Sequence, residues 1–221
     1  LSSRGMKKFG LLVVLGIWCT SVMAQYDEKA LTILDAMSDK YSKIEAYSAS
    51  IKRSLINEID RVNEEMTGEI TIKGNMFRLK IDDIEIFNDG KTVWTYVPAV
   101  SEVEIADYDP DEEEITPAKV LSMYKSGYKY LHLEETTENG VICDVIDLIP
   151  EKPGDNNFFK IRMNVSQKDL TLQSWVMFEK NGNKYKVQIT NFQPKISIDD
   201  NYFRFDASKF PGVEIEIVDL R

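Results

Sequence analysis

The chain has 221 residues, of which 43% are hydrophobic, and its 37 acidic side chains outnumber 27 basic ones for a net charge of −10. This length and composition are sufficient for a buried core, so a disordered chain is excluded. The acidic balance argues against nucleic acid as a partner, because phosphate binding depends on Lys and Arg. Two cysteines and one histidine leave too few ligands for a zinc site, and we expect no metal.

The first 24 residues have the pattern of a secretory signal peptide. The basic pair Lys7–Lys8 precedes the apolar run Phe9–Trp18, and Ala24 is a small residue suited to a cleavage position. Ten apolar residues are too few to span a bilayer, which needs about 20. We therefore expect Leu1–Gly5 to be an upstream extension, cleavage after Ala24, and a single domain over residues 25–221.

Cys19 raises the alternative of a lipid anchor, but Trp18 before it is not the small residue that lipidation requires. Without Arg4, Lys7 and Lys8, 24 basic residues remain against 37 acidic ones, so the exported chain has a net charge of −13. Cys143 is then its only cysteine, and no intrachain disulfide can form. The folded chain must therefore be stabilised by its own core.

Apolar residues at three- and four-residue spacing predict an amphipathic helix over Tyr26–Tyr47. The acidic side chains of Asp27 and Glu28 suit the first turn, where the helix dipole is positive. The apolar stripe consists of Ala30, Ile33, Leu34, Met37, Tyr41, Ile44 and Tyr47.

From Ser48 onward the apolar residues alternate with polar ones at a period of two. About eleven short runs of this kind follow, separated by turn signals such as Asp89–Gly90 and Asn139–Gly140. Consecutive strands joined by short turns predict an antiparallel meander, which is typical of a barrel or a strongly curved sheet.

Thr116–Pro117 interrupts this series with the pattern of a helix start, because Thr suits the N-cap and Pro the first helical position. The apolar residues Val120, Leu121 and Met123 follow, and Gly127 suits the end of the helix. We expect a short apolar helix that packs on one face of the sheet.

No catalytic arrangement is evident in the sequence, so we expect neither an enzyme nor a cofactor. His132, the only imidazole, lies in an alternating run and is expected to be structural. Cys143 lies in an apolar strand and is expected to be a buried, inert thiol. The acidic run Asp107–Glu114 lacks the glycine and the terminal Glu of a calcium loop, and we interpret it as a solvated loop.

Several predicted strands are apolar on both faces, most clearly Thr92–Val97, Val141–Ile149 and Leu172–Phe178. A sheet with one face in water needs only one apolar face. Either the helices cover the second face as ordinary core, or the interior holds a ligand. A curved sheet lidded by helices would enclose apolar volume suited to lipids. Each buried CH₂ group contributes about 0.8 kcal/mol to binding such a chain.

Four groups of segments, in the same order along the chain, resemble the LolA family of periplasmic lipoprotein carriers. The most specific is Asn88–Pro98, with the letters NDGKTVWTYVP. The others are Gly68–Lys73 with Asn75–Arg78, Thr116–Leu121, and Tyr202–Asp206 with Phe210–Val213.

The resemblance implies a mainly β (α+β) fold: an unclosed antiparallel barrel, or strongly curved sheet, of about 11 strands, with helices forming a lid over an apolar cavity. It implies a periplasmic carrier in a Gram-negative cell that moves lipoproteins from the inner to the outer membrane by binding their acyl chains. An inner-membrane ABC transporter resembling LolCDE would supply the cargo. An outer-membrane acceptor resembling LolB would receive it, although the presence of that acceptor is left open.

We expect the carrier to be a monomer. Two alternatives keep the same fold. One is an envelope sensor or regulator that binds a lipid or lipoprotein, and the other is a carrier of a different lipid or glycolipid.

Given the resemblance and the alternation, eight residues are predicted to lie at the acyl-chain cavity or on its lid. They are Phe77, Leu79, Trp94, Tyr96, Leu121, Met123, Trp175 and Met177. The best-known members of the family carry Arg-Pro after the Lys of the early hairpin, and that arginine holds the lid closed. Here Gly74 and Asn75 follow Lys73, so the arginine has no counterpart, and Lys73 or Arg78 are the candidate substitutes.

Overall fold

The computed structural model describes residues 27–109, 117–212 and 214–221. The predicted signal peptide, the Thr116 N-cap and residues 110–114 of the acidic run lie outside these ranges.

Two α-helices and twelve strands make up the regular structure of the described residues. The helices are α1, Glu28–Ser42, and α2, Pro117–Val120. The strands are β1 Ala46–Asn57, β2 Val62–Lys73, β3 Met76–Ile81, β4 Ile84–Asn88, β5 Thr92–Val97, β6 Glu102–Asp107, β7 Tyr128–Glu138, β8 Val141–Pro150, β9 Phe158–Ser166, β10 Leu172–Glu179, β11 Lys184–Pro194 and β12 Glu216–Asp219. Short 3₁₀ turns span Pro98–Val100, Met123–Lys125, Pro153–Asp155, Asp200–Phe203 and Ala207–Lys209.

All twelve strands belong to one sheet, in the order β12-β6-β5-β4-β3-β2-β1-β11-β10-β9-β8-β7. Its two edges, β12 and β7, do not pair with each other, so the barrel is not closed by hydrogen bonds. This arrangement confirms the predicted mainly β, unclosed and curved sheet. The strand beyond the expected eleven is β12, four residues long, which pairs with β6 in parallel.

Gly68 lies at a point of β2 where the neighbouring strand approaches closely. A Cβ atom added to Gly68 would lie 2.1 Å from the carbonyl oxygen of Lys80 and 3.1 Å from the Cα atom of Ile81, both in β3. Only glycine allows this approach, and glycine within a strand is typical of sheets that bend sharply. The curvature that forms the interior therefore has a local cause in the sequence.

Asp27 is the N-cap of helix α1, and its carboxylate accepts hydrogen bonds from the backbone N–H groups of Lys29 (2.8 Å) and Ala30 (3.1 Å). The helix ends at Ser42, so the predicted extension to Tyr47 is wrong. Tyr47 belongs to β1, where its ring packs against that of Tyr41 with 5.5 Å between centroids. The apolar periodicity continued past the helix because the first residues of β1 contact the same core.

Three contacts hold α1 across strands β7 to β10. The carboxylate of Asp27 accepts a hydrogen bond from the His132 backbone at 3.0 Å. Near the other end, the hydroxyl of Tyr41 accepts one from the Leu172 backbone at 3.2 Å. Between them, the ammonium group of Lys29 lies 3.4 Å from Asp144 on β8. The apolar stripe of α1 thereby covers this part of the sheet.

Candidate binding cavity

A cavity of about 640 Å³ lies against one face of the sheet. We call this the inner face, and the opposite one the outer face. The wall follows the period of two along each strand, as expected for side chains that share a face. Strand β1 contributes Tyr47, Ala49, Ile51 and Arg53, and further wall residues are Ile70, Ile72, Phe77, Leu79, Ile81, Ile86, Val93, Thr95, Trp175, Met177, Tyr185, Val187 and Ile189.

The inner face has two parts that differ in what covers them. Helix α1 lies over β7–β9, where Ile146, Ile161 and Met163 are fully buried; we call these strands with α1 the covered half. On strands β1–β5, β10 and β11, no helix of the described residues fills the inner face, and the cavity lies there; we call these strands the open half. An apolar surface of this kind is the expected wall of a lipid site.

The segment around α2 forms part of the boundary of the cavity. Leu121, directly after α2, lines it, and so does Tyr108, whose ring packs edge-on against Phe77 with 6.5 Å between centroids. The hydroxyl of Tyr124 donates a hydrogen bond of 2.7 Å to Asp35 of α1 and so connects this segment to the covered half. Burial, followed by that contact with Asp35, raises the pKa of Tyr124 to about 12, so the hydroxyl stays a donor.

Five of the eight residues assigned to the cavity from the sequence line it in the structure. They are Phe77, Leu79, Leu121, Trp175 and Met177. Their contact with a ligand remains a prediction.

The prediction that Trp94 and Tyr96 line the cavity is wrong by one residue along β5. The side chains that face the cavity are those of Val93 and Thr95. The two aromatic residues lie on the outer face, where Phe205 and Phe210 from the segment after β11 cover them. The ring of Tyr96 lies 4.6 Å from that of Phe210, centroid to centroid.

The prediction that Met123 lies at the cavity or on its lid is also wrong. It is buried in the main core beside Val120 and Tyr124 and does not line the cavity. The reason is that a 3₁₀ turn starts at Met123, so the helical periodicity from which its side was inferred does not continue beyond α2.

Lys73 and Arg78 do not replace the missing lid arginine. Both belong to the outer face and hold the segment after β11. The ammonium group of Lys73 donates to the carbonyl of Ile198 at 3.2 Å and pairs with Asp200 at 2.7 Å. The guanidinium of Arg78 stacks on Tyr202, 4.6 Å from its ring centroid, and pairs with Glu85.

The sequence analysis missed a polar end of the cavity. Arg53, Tyr185, Glu179, Asn156 and Asn157 all belong to its wall. A signal for Arg53 was present, because it follows Tyr47, Ala49 and Ile51 at intervals of two and therefore shares their face. The apolar alternation alone predicts only apolar residues for that face.

His132 and Cys143 lie away from the cavity. The ring of His132 contacts Asp144 at 2.7 Å, and Cys143 is fully buried. Burial raises the pKa of the Cys143 thiol, which keeps it protonated. Within the described ranges, no group of three or more His, Cys, Asp or Glu side chains could hold a metal ion. In the same part of the chain, no helix is long and apolar enough to cross a membrane.

A strongly curved, unclosed sheet with a helix over one half and an apolar cavity in the other defines a class of cavity-containing half-barrels. The sequence profile of the family described as outer membrane lipoprotein carrier protein LolA matches residues 42–206. The chain belongs to this family of carrier proteins.

Individual relatives agree with the family assignment over most of the chain. An outer-membrane lipoprotein carrier protein of Actinobacillus succinogenes is 27% identical over 193 residues, which cover 83% of this chain and 86% of that protein. One from Haemophilus influenzae (strain PittEE) is 24% identical over 217 residues and 95% of each chain. The crystal structure of an uncharacterized conserved protein from Thermus thermophilus has a TM-score of 0.57 at 12% identity, covering 87% of this chain and 99% of that one, and shows the fold alone.

Proposed function

We propose that the protein is a periplasmic carrier that binds the acyl chains of lipoproteins in the cavity of the open half. The observation that supports this proposal is the cavity of about 640 Å³, whose wall is mostly apolar, on the inner face of the open half. In the covered half, α1 packs against the inner face instead. The relatives named as outer-membrane lipoprotein carrier proteins share most of the chain's length, which supports the same cargo here.

Burial of apolar surface provides the binding free energy. An acyl chain gains about 0.8 kcal/mol for each CH₂ group that leaves water. This interaction is non-directional, so it suits cargo proteins that share only their acyl chains. A carrier with such a wall can take an acyl chain through an aqueous compartment that the chain would not cross unaided.

The route follows from the predicted signal peptide and the family. The carrier takes lipoproteins from an inner-membrane ABC transporter resembling LolCDE and delivers them to the outer membrane, to an acceptor resembling LolB where one is present. It acts as a monomer of one domain. The exported charge of −13 reduces attraction to anionic membrane surfaces, which favours departure of the loaded carrier.

The test is release of radiolabelled lipoproteins from spheroplasts into the soluble fraction by purified protein. We expect the wild type to release them. Leu79→Asp places a charge on the cavity wall and should abolish release, because burying an unpaired carboxylate against an acyl chain is unfavourable.

Lys80→Asp is the matched control, because it places the same carboxylate one residue further along β3, on the outer face. This variant should release cargo like the wild type. Lipoprotein that stays in the membrane with the wild type, or equal release by Leu79→Asp, would contradict the proposal.

A further inference from the structure

The cavity has a polar end, next to the β1–β2 and β10–β11 hairpins. Arg53 lies there on the inner face of β1, opposite Met66 of β2 and Val187 of β11. It is two residues beyond Ile51 on the same face, and Tyr47 lies six residues away at the other end of the wall. At the usual rise along a strand, six residues correspond to about 20 Å of mostly apolar surface.

A neighbouring ring orients the guanidinium of Arg53. The guanidinium carbon lies 5.3 Å from the centroid of the Tyr185 ring, which also belongs to the cavity wall. Such stacking positions an arginine while leaving its N–H donors free for carboxylate or phosphate oxygens.

No described carboxylate forms an ion pair with Arg53. The nearby cations Lys52 and Lys186 each have one, with Glu65 and Glu138 respectively, both at 2.8 Å. These two lysines alternate with wall residues and lie on the outer face.

The acidic residue of this end is already engaged. The carboxylate of Glu179 accepts hydrogen bonds from the side-chain amides of Asn181 (3.0 Å) and Asn183 (3.2 Å) in the hairpin turn. Among the described residues of the wall, Arg53 is the single cation. The wall also contains Asn156 and Asn157, which precede Phe158 opposite Glu179 and add amide donors to this end.

We propose that Arg53 is an anion-binding residue, and that the cavity takes acyl ligands whose polar end carries a carboxylate or a phosphate. This inference rests on the proposed carrier function and names its class of cargo. The acyl chain lies along the apolar wall toward Tyr47, and its anionic group accepts hydrogen bonds from the guanidinium. The anion can belong to a lipid headgroup or to an acidic residue beside the acylated cysteine of a lipoprotein, because the chemistry is the same.

The test compares two pairs of probes, each with one anionic and one neutral member that carry the same acyl group. The lipid pair is 1-palmitoyl-lysophosphatidate and 1-palmitoylglycerol, and the peptide pair is a short acylated peptide with Asp or Asn after the acylated cysteine. Affinity is measured by displacement of a fluorescent acyl probe below the critical micelle concentrations. We expect the anionic member of at least one pair to bind about tenfold more tightly, as one charge-assisted hydrogen-bonded contact implies. The pair that shows the preference identifies the source of the anion.

Arg53→Gln should remove the preference, while Arg53→Lys should keep part of it. Lys52→Gln is the matched control, since it removes the same charge from the adjacent outer-face residue and should preserve the preference. Equal affinities within both pairs, or a preference that survives Arg53→Gln, would overturn the role of Arg53 while leaving the carrier intact. Failure of every probe to bind would overturn the carrier function as well.

Discussion

The covered and open halves of the sheet use similar apolar strands for different purposes. In the covered half, Ile161 and Met163 are fully buried beneath α1. In the open half, Leu79 and Val187 occupy equivalent inner-face positions but remain partly accessible and line a cavity. An apolar strand face therefore becomes core or binding wall according to whether a helix covers it.

The outer face is covered in two different ways along the sheet. On the outer face of the open half, apolar cover is provided by Phe203, Phe205 and Phe210 of the segment after β11. This part of the sheet is therefore packed on its outer face, while its inner face lines the cavity. On the outer face of β9–β11, a polar network centred on Glu138 lies where the aromatic residues lie over the open half's other strands. Its amide donors include Asn164. The apolar cover of the outer face therefore lies over only part of the open half, and the polar network lies over β10 and β11 of the same half.

The largest effect on this arrangement is expected from Gly68→Ala. The new methyl group would collide with the backbone of β3, so the curved open half must distort. We expect the free energy of unfolding to fall by about 3 kcal/mol or more in urea titrations. Gly154→Ala is the control, because its Cβ would meet nothing within 4 Å, and it should change stability by no more than about 0.5 kcal/mol. Equal stability of the two variants would refute the role of Gly68 in bending the sheet.

A matched leucine pair sharpens the contrast between the halves. Leu34→Ala opens a void beneath α1 in the covered half and should cost about 3 kcal/mol of stability. Leu79→Ala removes the same atoms from a wall that already faces a cavity, so we expect a loss below about 1 kcal/mol. In return, it should weaken binding of an acyl probe about fivefold, whereas a refolded, stable Leu34→Ala should bind normally. Similar stability losses in chemical denaturation would mean that the two halves are packed alike.

Glu138 provides a smaller, pH-dependent test of the outer face. Burial opposes its ionisation, but the ion pair with Lys186 and hydrogen bonds from Ser174, Asn164 and Gln188 outweigh it and lower the pKa from 4.5 to about 2. Because the pKa is depressed in the folded state, the stabilisation is present above about pH 4.5 and is lost as the pH falls toward 2.

Glu138→Gln should therefore lose about 2 kcal/mol at neutral pH and approach the wild type near pH 2. Urea unfolding at several pH values measures this difference. A stability gap that does not depend on pH would show that the charge of Glu138 is not responsible.

The sequence was sufficient for the curved, unclosed sheet, because alternation and turn signals report most consecutive antiparallel strands, but not β12 or the pairing of β1 with β11. It was also sufficient for the apolar stripe of α1, apart from its end, where Tyr47 contacts the same core from β1. It was not sufficient for the orientation of β5. Both faces of that strand are apolar, and only the position of Phe205 and Phe210, more than a hundred residues later, shows that Trp94 and Tyr96 lie outside.

Binding of acyl chains on the inner face of the open half is tested with the two tryptophans of the described sheet. In a Trp18→Phe background, Trp94→Phe leaves Trp175 in the cavity wall, while Trp175→Phe leaves Trp94 beneath the outer segment. A palmitoyl lipid brominated along its chain quenches only tryptophans in contact with it. We predict strong, saturable quenching of the fluorescence of Trp175 and little of that of Trp94. Equal quenching of both tryptophans, or quenching of Trp94 alone, would contradict binding on the inner face.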